Sequence, residues 1–454
     1  MGSVSVSLWT AGSIAAATDG TLIGSAHTPV DGVSIDTRTL AKGDLFIALQ
    51  GPNHDAHDYA ENAVKSGASV LLVNRALPVE AVQVVVSDTH RAMEALGMAR
   101  RAEMTGFVLG ITGSVGKTGT KELAAAGFAQ LGRTHATQGN LNNHFGVPLT
   151  LARMPRDTEF AVIEMGMSAP GEIRDLTRQV RPDAALITWI SAAHSAFFAN
   201  TEEIARAKAE IFEGLPPAGI AAVPADNPFC GLLASLAGQA DVRRFGYAEE
   251  AEFAVVFDQL EGTNARYRVN GQAAQLALSG QQWGGSIAGL LACLPKDLDA
   301  QRFLAGMATV EPLKGRGKLF RIPASGGGTA VLIDESYNAS PAAVEAALTL
   351  LATAPTQGRR VAVLGDMLEL DQQEEEHAQI GRFIANSSVD RVHVSGTYGE
   401  ATLSQVNPTQ RGESAPDPEA LYTKLAQSVQ DGDIWLIKGS LGSKIHMIVD
   451  KLLP

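Results

Sequence analysis

One stretch of the sequence, VLGITGSVGKTGTKEL at residues 108–123, constrains the fold more than any other. An apolar run typical of a strand, FVLGIT at 107–112, leads into a loop with glycines at 113, 116 and 119. The following residues, TKELAAAGFAQLG, carry apolar side chains at three- and four-residue steps, as an amphipathic helix does. A strand, a glycine-rich loop and a helix in this order predict a phosphate-binding loop, in which backbone N–H groups and the helix N-terminus face the anion.

Two residues of this loop carry the chemistry that a nucleotide needs. In such loops a lysine reaches the β- and γ-phosphates and a hydroxyl binds Mg²⁺, and Lys117 and Thr118 have these positions. The spacing departs from G-x-x-x-x-G-K-[ST], because Ile111 stands where the first glycine is expected. The alternative is a plain glycine-rich turn with a solvated lysine. We expect ATP and Mg²⁺ here, with ATP bound by Thr112, Gly113, Ser114, Val115, Gly116, Lys117, Thr118 and Gly119.

The remainder of the chain predicts an α/β protein. Short β-branched runs alternate with helical patterns, which is typical of βαβ units and a mainly parallel sheet. The predicted strands are 44–49, 69–73, 107–112, 160–165, 184–190, 330–334, 361–366, 391–396 and 433–440. At about 150 residues per domain, 454 residues suggest three domains. We place a small N-terminal α/β domain at 1–86, a central P-loop domain with a parallel sheet at 87–312 and a Rossmann-like domain at 313–454.

Two internal segments are predicted in less detail. Residues 240–290 read as short strands and turns, and 313–317, rich in Gly, Lys and Arg, reads as a hinge into the third domain.

Charge and cysteine content exclude several classes of protein. The net charge of −13, without clustered Lys and Arg, argues against binding to nucleic acid or to an anionic membrane. Cys230 and Cys293 are too far apart in sequence to suggest a disulfide framework or a zinc site. The N-terminus lacks the basic region of a secretory signal, and no apolar run approaches the ~18 residues of a membrane span. We expect a cytoplasmic monomer.

The motifs resemble one family along nearly the whole chain. The form Thr-Gly-x-x-Gly-Lys-Thr, from Thr112 to Thr118, is the one that ATP-dependent Mur ligases carry. Residues 32–68 are similar to the UDP-binding segment of that family, and 137–151 to the stretch after its P-loop helix. AVIEMGMSAPGEI and ARAKAEIFEGL resemble its metal-site segments. VLIDESYNASPAAVEAAL, VAVLGDMLELDQQEEEHAQIG and IWLIKGSLGSK resemble the member that joins UDP-MurNAc-tripeptide to D-alanyl-D-alanine.

The resemblance implies an amide-bond ligase of peptidoglycan precursor synthesis. ATP would phosphorylate the tripeptide carboxylate, and the amine of D-alanyl-D-alanine would displace phosphate from this acyl phosphate, giving UDP-MurNAc-pentapeptide, ADP and phosphate. Whether the third residue of the accepted peptide is diaminopimelate or lysine stays open.

Several alternatives are weighed against this reading. A ligase that adds one amino acid at the third position would carry Asp-Asn-Pro-Arg in the third domain, but here Asp226–Pro228 precedes Phe229 in the central one. A folate-type polyglutamate ligase should lack DESYNASP and GDMLEL, both present here. A P-loop kinase or ATPase would end its Walker-B strand in Asp, where Glu164 stands. A nucleotide-gated binding protein without chemistry is disfavoured by the family's catalytic set.

The resemblance also assigns roles to particular residues. The implied catalytic residues are Lys117, Glu164, His194 and Lys208, and the implied metal ligands are Thr118, Glu164, His194 and Lys208, the last of them carbamylated. Arg316, Glu335 and Asn338 of the third domain are expected at the nucleotide. Trp189 and Trp283 stand where amides are usual in the family, and we expect the Trp283 indole to pack on adenine. The expected substrate-binding residues are Asp36, Thr37, Arg38, Asn140, Asn142 and Asn143 on the UDP-muramoyl side, and Asp366 and Lys438 on the dipeptide side.

Overall fold

The computed structural model describes residues 7–51, 54–191, 198–261, 264–277, 282–312 and 314–453. Strands of these residues form sheets of two, five, nine and six strands, and helices pack against them. The predicted α/β class is confirmed.

The N-terminal region contains the five-stranded and two-stranded sheets. Its strands are β1 Trp9–Thr10, β2 Thr21–Ile23, β3 Pro29–Val30, β4 Gly32–Ser34, β5 Asp44–Ile47, β6 Val70–Val73 and β7 Val82–Val85. Its helices are α1 Ala11–Thr18, α2 Ala60–Lys65 and α3 Thr89–Glu103, with a 3-10 turn at Ala56–Tyr59. The larger sheet has the order β2-β7-β6-β5-β4 and is parallel except for β2. Every residue of β5 and β6 is buried, since both faces of this sheet are covered.

The nine-stranded sheet forms the centre of the molecule. Its strands are β8 Phe107–Thr112, β9 Thr134–Ala136, β10 Phe160–Glu164, β11 Ala184–Ile187, β12 Ile220–Pro224, β13 Asp241–Gly246, β14 Phe253–Glu261, β15 Asn264–Val269 and β16 Gln272–Leu276. The accompanying helices are α4 Lys117–Ala129, α5 Gly146–Ala152, α6 Glu172–Val180, α7 Thr201–Ala209, α8 Cys230–Leu236, α9 Gln282–Cys293 and α10 Ala300–Met307, with a 3-10 turn at Glu210–Gly214. The order is β16-β15-β14-β13-β12-β11-β8-β10-β9, and β14, β15 and β16 pair antiparallel.

Side chains of β8 explain why this strand reads as one apolar run. Leu109 and Ile111 enter one hydrophobic core and Val108 enters the core on the opposite face. A parallel strand covered on both faces needs apolar residues at successive positions. β8 therefore connects directly to the glycine loop from the middle of a rigid sheet, which fixes where the loop begins.

One predicted segment is wrong in part. Residues 240–290 do form strands up to Leu276, but Gln282–Cys293 is the helix α9, packed against β13 and β14. Its short apolar run could not be distinguished from a buried strand by periodicity.

The third sheet has six strands. They are β17 Lys318–Pro323, β18 Thr329–Glu335, β19 Arg360–Gly365, β20 Arg391–Ser395, β21 Arg411–Ala415 and β22 Ile434–Lys438. The helices are α11 Pro341–Thr353, α12 Gln373–Ala385, α13 Gly399–Leu403, α14 Pro418–Leu425 and α15 His446–Leu452, with a 3-10 turn at Leu441–Ser443. The order β17-β18-β22-β19-β20-β21 places β22 between β18 and β19, so Glu335 and Lys438 are register partners at the carboxyl edge. Ligands of open α/β sheets bind at this edge.

The domain boundaries at 86/87 and 312/313 stay predictions. Within the described residues, no helix has both the length and the apolar composition needed to cross a bilayer.

Candidate active site

The glycine loop between β8 and α4 has a backbone that only glycine accommodates easily. Gly113 and Gly116 have φ angles of 151° and 89°. A Cβ on Gly113 would lie 2.0 Å from Thr188 Oγ1, so the loop approaches the segment after β11 closely. Thr188 Oγ1 donates to Val115 O at 2.6 Å, and Ser114 N donates to Trp189 O at 2.7 Å. These bonds fix the loop at the N-terminus of α4, where backbone N–H groups favour an anion.

Lys117 lies across this loop. Its Nζ donates to Gly113 O at 2.6 Å. Burial lowers the pKa of Lys117, and the positive charge of Arg316 lowers it further, while Glu164 acts in the opposite direction. A half-buried cation at the start of a helix, beside a nest of glycines, is suited to a phosphate.

Glu164, at the end of β10, meets Thr118 as the sequence predicts. Its side chain is buried, and Oε1 accepts from Asn142 Nδ2 at 2.7 Å and from Thr118 Oγ1 at 3.2 Å. Its backbone N–H donates to Thr137 Oγ1 at 3.0 Å. Oε2 is buried and accepts no hydrogen bond within the described part of the chain. Such an unsatisfied carboxylate oxygen is costly to bury, so a cation at Oε2 fits this arrangement.

Lys208, on α7, is fully buried, whereas Lys117 is half-buried. Burial lowers the pKa of Lys208 well below the ordinary value, and the charge of Lys117 lowers it further. His194 lies outside the described residues. Among those described, no cluster of three or more His, Cys, Asp or Glu side chains forms a metal site. Thr118 and Glu164 are therefore the described pair that fits Mg²⁺, which usually keeps several waters and takes few protein ligands.

A cavity of about 420 Å³ adjoins the glycine loop and extends to the third sheet. Its wall includes the aromatic residues Trp189, Phe245, Tyr247 and Trp283. The six-membered ring of Trp283 lies so close to α4 that a Cβ on Gly119 would be 2.6 Å from it. Both tryptophans singled out in the sequence thus face the predicted nucleotide site.

The third domain contributes the opposite wall of this cavity. Arg316, Glu335 and Lys438 line it, and the guanidinium carbon of Arg316 lies 4.0 Å from the centre of the Tyr337 ring. Lys438 Nζ donates to Glu335 Oε2 at 3.2 Å and to Asn338 O at 3.0 Å. Lys438 is therefore paired and faces the nucleotide side. That it binds the dipeptide carboxylate stays a prediction.

A second cavity, of about 1180 Å³, lies in the N-terminal region. Asp36, Thr37 and Arg38 line it, and the Arg38 guanidinium pairs with Asp36 at 2.7 Å. This pairing lowers the pKa of the Asp36 carboxyl. The cavity also touches the segment after α4 through Gln138, Leu141 and Phe145.

The remaining predicted substrate residues differ in their exposure and in their contacts. Asn140 is exposed, and Asn143 Oδ1 accepts from Gly146 N at 2.9 Å at the start of α5. Asn142 contacts Glu164 rather than the cavity. Asp366 is buried, and its carboxylate accepts from the backbone N–H groups of Thr397 and Tyr398 at 2.9 and 3.1 Å.

Sequence reasoning missed two residues that fix the metal-site carboxylate. Thr137 binds the backbone of Glu164, and the side chain of Asn142 binds its carboxylate. Asn142 was selected only as a substrate residue. No signal in the sequence marks Thr137, because its role depends on β9 and β10 lying side by side.

Comparisons with known proteins agree with this geometry. Three family models match: the Mur ligase family catalytic domain at 29–104, the Mur ligase middle domain at 111–286 and the Mur ligase glutamate ligase domain at 320–441. The UDP-N-acetylmuramoyl-tripeptide–D-alanyl-D-alanine ligase of Escherichia coli K12 is 36% identical, over 94% of each chain.

Solved structures give the same result. MurF from Acinetobacter baumannii superimposes with a TM-score of 0.87 at 29% identity, over 98% of each chain. MurF ligase from Thermotoga maritima, in complex with ADP, superimposes with a TM-score of 0.77 at 25% identity, over 93% of this chain and 96% of that one. With matching domains in the same order and close relatives over nearly the full length, this chain belongs to the Mur ligase family.

Proposed function

We propose that this protein is the ATP-dependent ligase that adds D-alanyl-D-alanine to UDP-MurNAc-tripeptide in peptidoglycan synthesis. The single observation that carries the proposal is the contact between Thr118 on the glycine loop and buried Glu164, whose Oε2 lacks a donor among the described residues. This pair beside a phosphate-binding loop, in a chain 36% identical to a ligase of that name, supports phosphoryl transfer to a carboxylate.

The protein's own residues would act mainly by position and charge. Backbone N–H groups from Gly113 to Thr118 would bind the β- and γ-phosphates, and Lys117 would exchange its bond to Gly113 O for a phosphate oxygen. Arg316 would approach the same phosphates from the third domain. Thr118 and Glu164 would hold Mg²⁺, which supplies charge neutralisation when bound.

Lys208 is proposed to be carbamylated. The reaction with CO₂ needs a neutral amine, and burial lowers the pKa of Lys208 in the direction that provides one. The product is an anion beside Lys117, which would remove the repulsion between two buried ammonium groups. His194 stays a predicted ligand.

The nucleotide and the UDP substrate are assigned to different cavities. The 420 Å³ cavity adjoins the glycine loop, so we place adenosine there, with Trp283 against the base and Glu335 on the ribose side. That Asn338 contacts the nucleotide stays a prediction. The ADP complex of the Thermotoga relative supports nucleotide binding. We place the UDP-muramoyl group in the 1180 Å³ cavity beside Asp36, Thr37 and Arg38. Cytoplasmic location and a monomeric state stay predictions.

Phosphate release tests the proposal. Purified protein is given Mg·ATP with UDP-MurNAc-tripeptides that carry either diaminopimelate or lysine, with and without D-alanyl-D-alanine. We expect phosphate release only with both substrates. The tripeptide that gives the faster release identifies which third residue the protein accepts. Release without the dipeptide, at an equal rate, would indicate an ATPase instead, and formation of ADP without phosphate release would indicate a kinase.

A further inference from the structure

A short segment connects the two proposed substrate sites. This bridging segment, residues 137–145, follows β9 and precedes α5. Gln138, Leu141 and Phe145 line the N-terminal cavity. Thr137 and Asn142, from the same segment, bind Glu164. The segment therefore touches the UDP-muramoyl cavity with one set of side chains and the metal-site carboxylate with another.

The half-buried side chain of Asn142 is held from two sides. Its backbone C=O accepts from Gly166 N at 2.8 Å, and a Cβ on Gly166 would lie 2.9 Å from its Oδ1. The amide thus lies between the backbone after β10 and the Glu164 carboxylate. Leu141, which lines the N-terminal cavity, is bonded directly to Asn142 in the chain, so a shift of Leu141 on substrate binding would be passed to this amide.

The position of the amide decides which carboxylate oxygen is free. Asn142 Nδ2 and Thr118 Oγ1 both donate to Oε1 of Glu164, and Oε2 is left for a cation. A hydrogen bond to an ionised carboxylate is stronger and more directional than a neutral one. Loss of the Asn142 bond would let the carboxylate rotate and use Oε2 on Thr118.

We propose that Asn142 is a positioning residue that couples the two sites, so that UDP-MurNAc-tripeptide and Mg·nucleotide bind cooperatively. This inference rests on the proposed function. Ordering of the bridging segment by the UDP substrate fixes Glu164 for the metal, and the metal-bound nucleotide fixes the segment for the UDP substrate. Thermodynamic linkage requires the two effects to be equal.

Binding measurements without turnover test the coupling. The Kd of ADP is measured by calorimetry at saturating Mg²⁺, with and without saturating UDP-MurNAc-tripeptide. We expect the wild-type protein to bind ADP about tenfold more tightly when the UDP substrate is present, which lies within the usual range of couplings between sites. The same factor should appear when the Kd of the UDP substrate is measured with and without Mg·ADP.

Variants separate positioning from a merely structural role. Asn142→Ala should reduce this ratio of Kd values to about one, and Asn142→Leu, similar in size but unable to donate a hydrogen bond, should do the same. His144→Ala is the matched control: its side chain is exposed in the same segment and is not part of the cavity lining, so the ratio should persist.

Two results would overturn the inference: a wild-type ratio of one, or full coupling in both Asn142→Ala and Asn142→Leu. Absence of nucleotide binding in the wild-type protein would refute the proposed function itself, which is a distinguishable result.

Discussion

Two lysines set the electrostatics at the scale of single residues. Lys208 is buried and Lys117 is half-buried, and the pKa of each is lowered first by removal from water. Burial of a cation is unfavourable unless an anion pairs with it. Such positions serve function rather than stability, so their substitution should affect activity and stability in opposite directions.

Lys117→Met tests this opposition. The thioether keeps an unbranched apolar chain in the pocket but removes the charge that would neutralise the transferred phosphate. We expect kcat to fall by about 10²–10³-fold, the range found when one transition-state donor is removed. The melting temperature should stay equal or rise, because the variant no longer buries an ammonium group. A large loss of melting temperature together with activity would instead assign Lys117 a structural role.

The proposed carbamylation of Lys208 predicts that turnover depends on CO₂ and pH. CO₂ reacts with the neutral amine, whose fraction increases about tenfold per pH unit while the amine is mostly protonated. We therefore expect the carbamylated fraction, and with it kcat, to rise as pH rises toward the lowered pKa of Lys208. In CO₂-depleted buffer activity should fall, and bicarbonate should restore it. Protein treated with ¹³C-bicarbonate should show a carbamate NMR signal that Lys208→Met lacks.

The lowered pKa of Lys208 also affects the stability of the protein. Between the lowered pKa of Lys208 and the ordinary lysine value, the unfolded chain binds more protons than the native protein, so the unfolding free energy of unmodified protein rises with pH there. In CO₂-depleted buffer, Lys208→Met should show a smaller rise than the wild type by denaturant titration. Equal slopes would contradict the burial of a neutral Lys208.

At the scale of elements, the contact between α4 and α9 determines the shape of the nucleotide cavity. Gly119 lets the Trp283 ring lie directly on the helix that carries Lys117 and Thr118. Trp9 and Trp435 are buried in the N-terminal and third cores, so they are shielded from a nucleotide in this cavity. Quenching of tryptophan fluorescence by a nucleotide should therefore report on Trp189 and Trp283.

If the adenine base stacks on Trp283, substitutions there should weaken ADP binding to different degrees. Trp283→Ala should weaken ADP binding by about 1–3 kcal/mol, the usual value of one base on one aromatic ring. Trp283→Phe should keep most of the affinity and lose part of the quenching. Gly119→Ala should resemble Trp283→Ala, because the new Cβ meets the indole at 2.6 Å.

Gly231→Ala, on α8 with open space at the Cβ position, is the control that should leave affinity unchanged. If Trp283→Ala bound ADP like the wild type, the base would have to lie elsewhere.

Sequence patterns predict an element well when both of its faces lie in the same kind of environment. FVLGIT matches β8 residue for residue, because a strand covered on both faces needs only a continuous apolar run. The helix α9 was missed because its apolar run is short. The contact between Lys438 and Glu335 was missed because it joins residues 103 positions apart through a sheet order that local patterns do not contain.

At the scale of the whole molecule, the proposed nucleotide cavity is lined by residues of both the central and the third domain, so we expect these domains to separate when a nucleotide enters. The sequence predicts the pivot at 313–317, but residues of this segment are fastened to the third sheet. Gly315 N donates to Asp334 Oδ2 at 2.7 Å and Gly317 N donates to Asp334 O at 2.8 Å. Val310, on the other side, packs against the central core. We therefore expect the rotation near Glu311 and Pro312; residue 313 lies outside the described part of the chain.

Scattering and hydrogen exchange together test this placement of the pivot. The free protein should give a larger radius of gyration than the arrangement described, and Mg·ADP with UDP-MurNAc-tripeptide should reduce it, because domain closure around ligands is a hinge motion at a few linker residues. Amides of Gly315 and Gly317 should stay protected from exchange in both states, since their partners belong to the same rigid sheet. If ligand changes the exchange at these two amides, the pivot lies at 313–317 as the sequence predicts. If the radius of gyration does not change with ligand, the domains do not close. Because of the bonds to Asp334, we expect the third sheet and Arg316 to move as one unit, so that the arginine reaches the phosphates only when the whole domain closes.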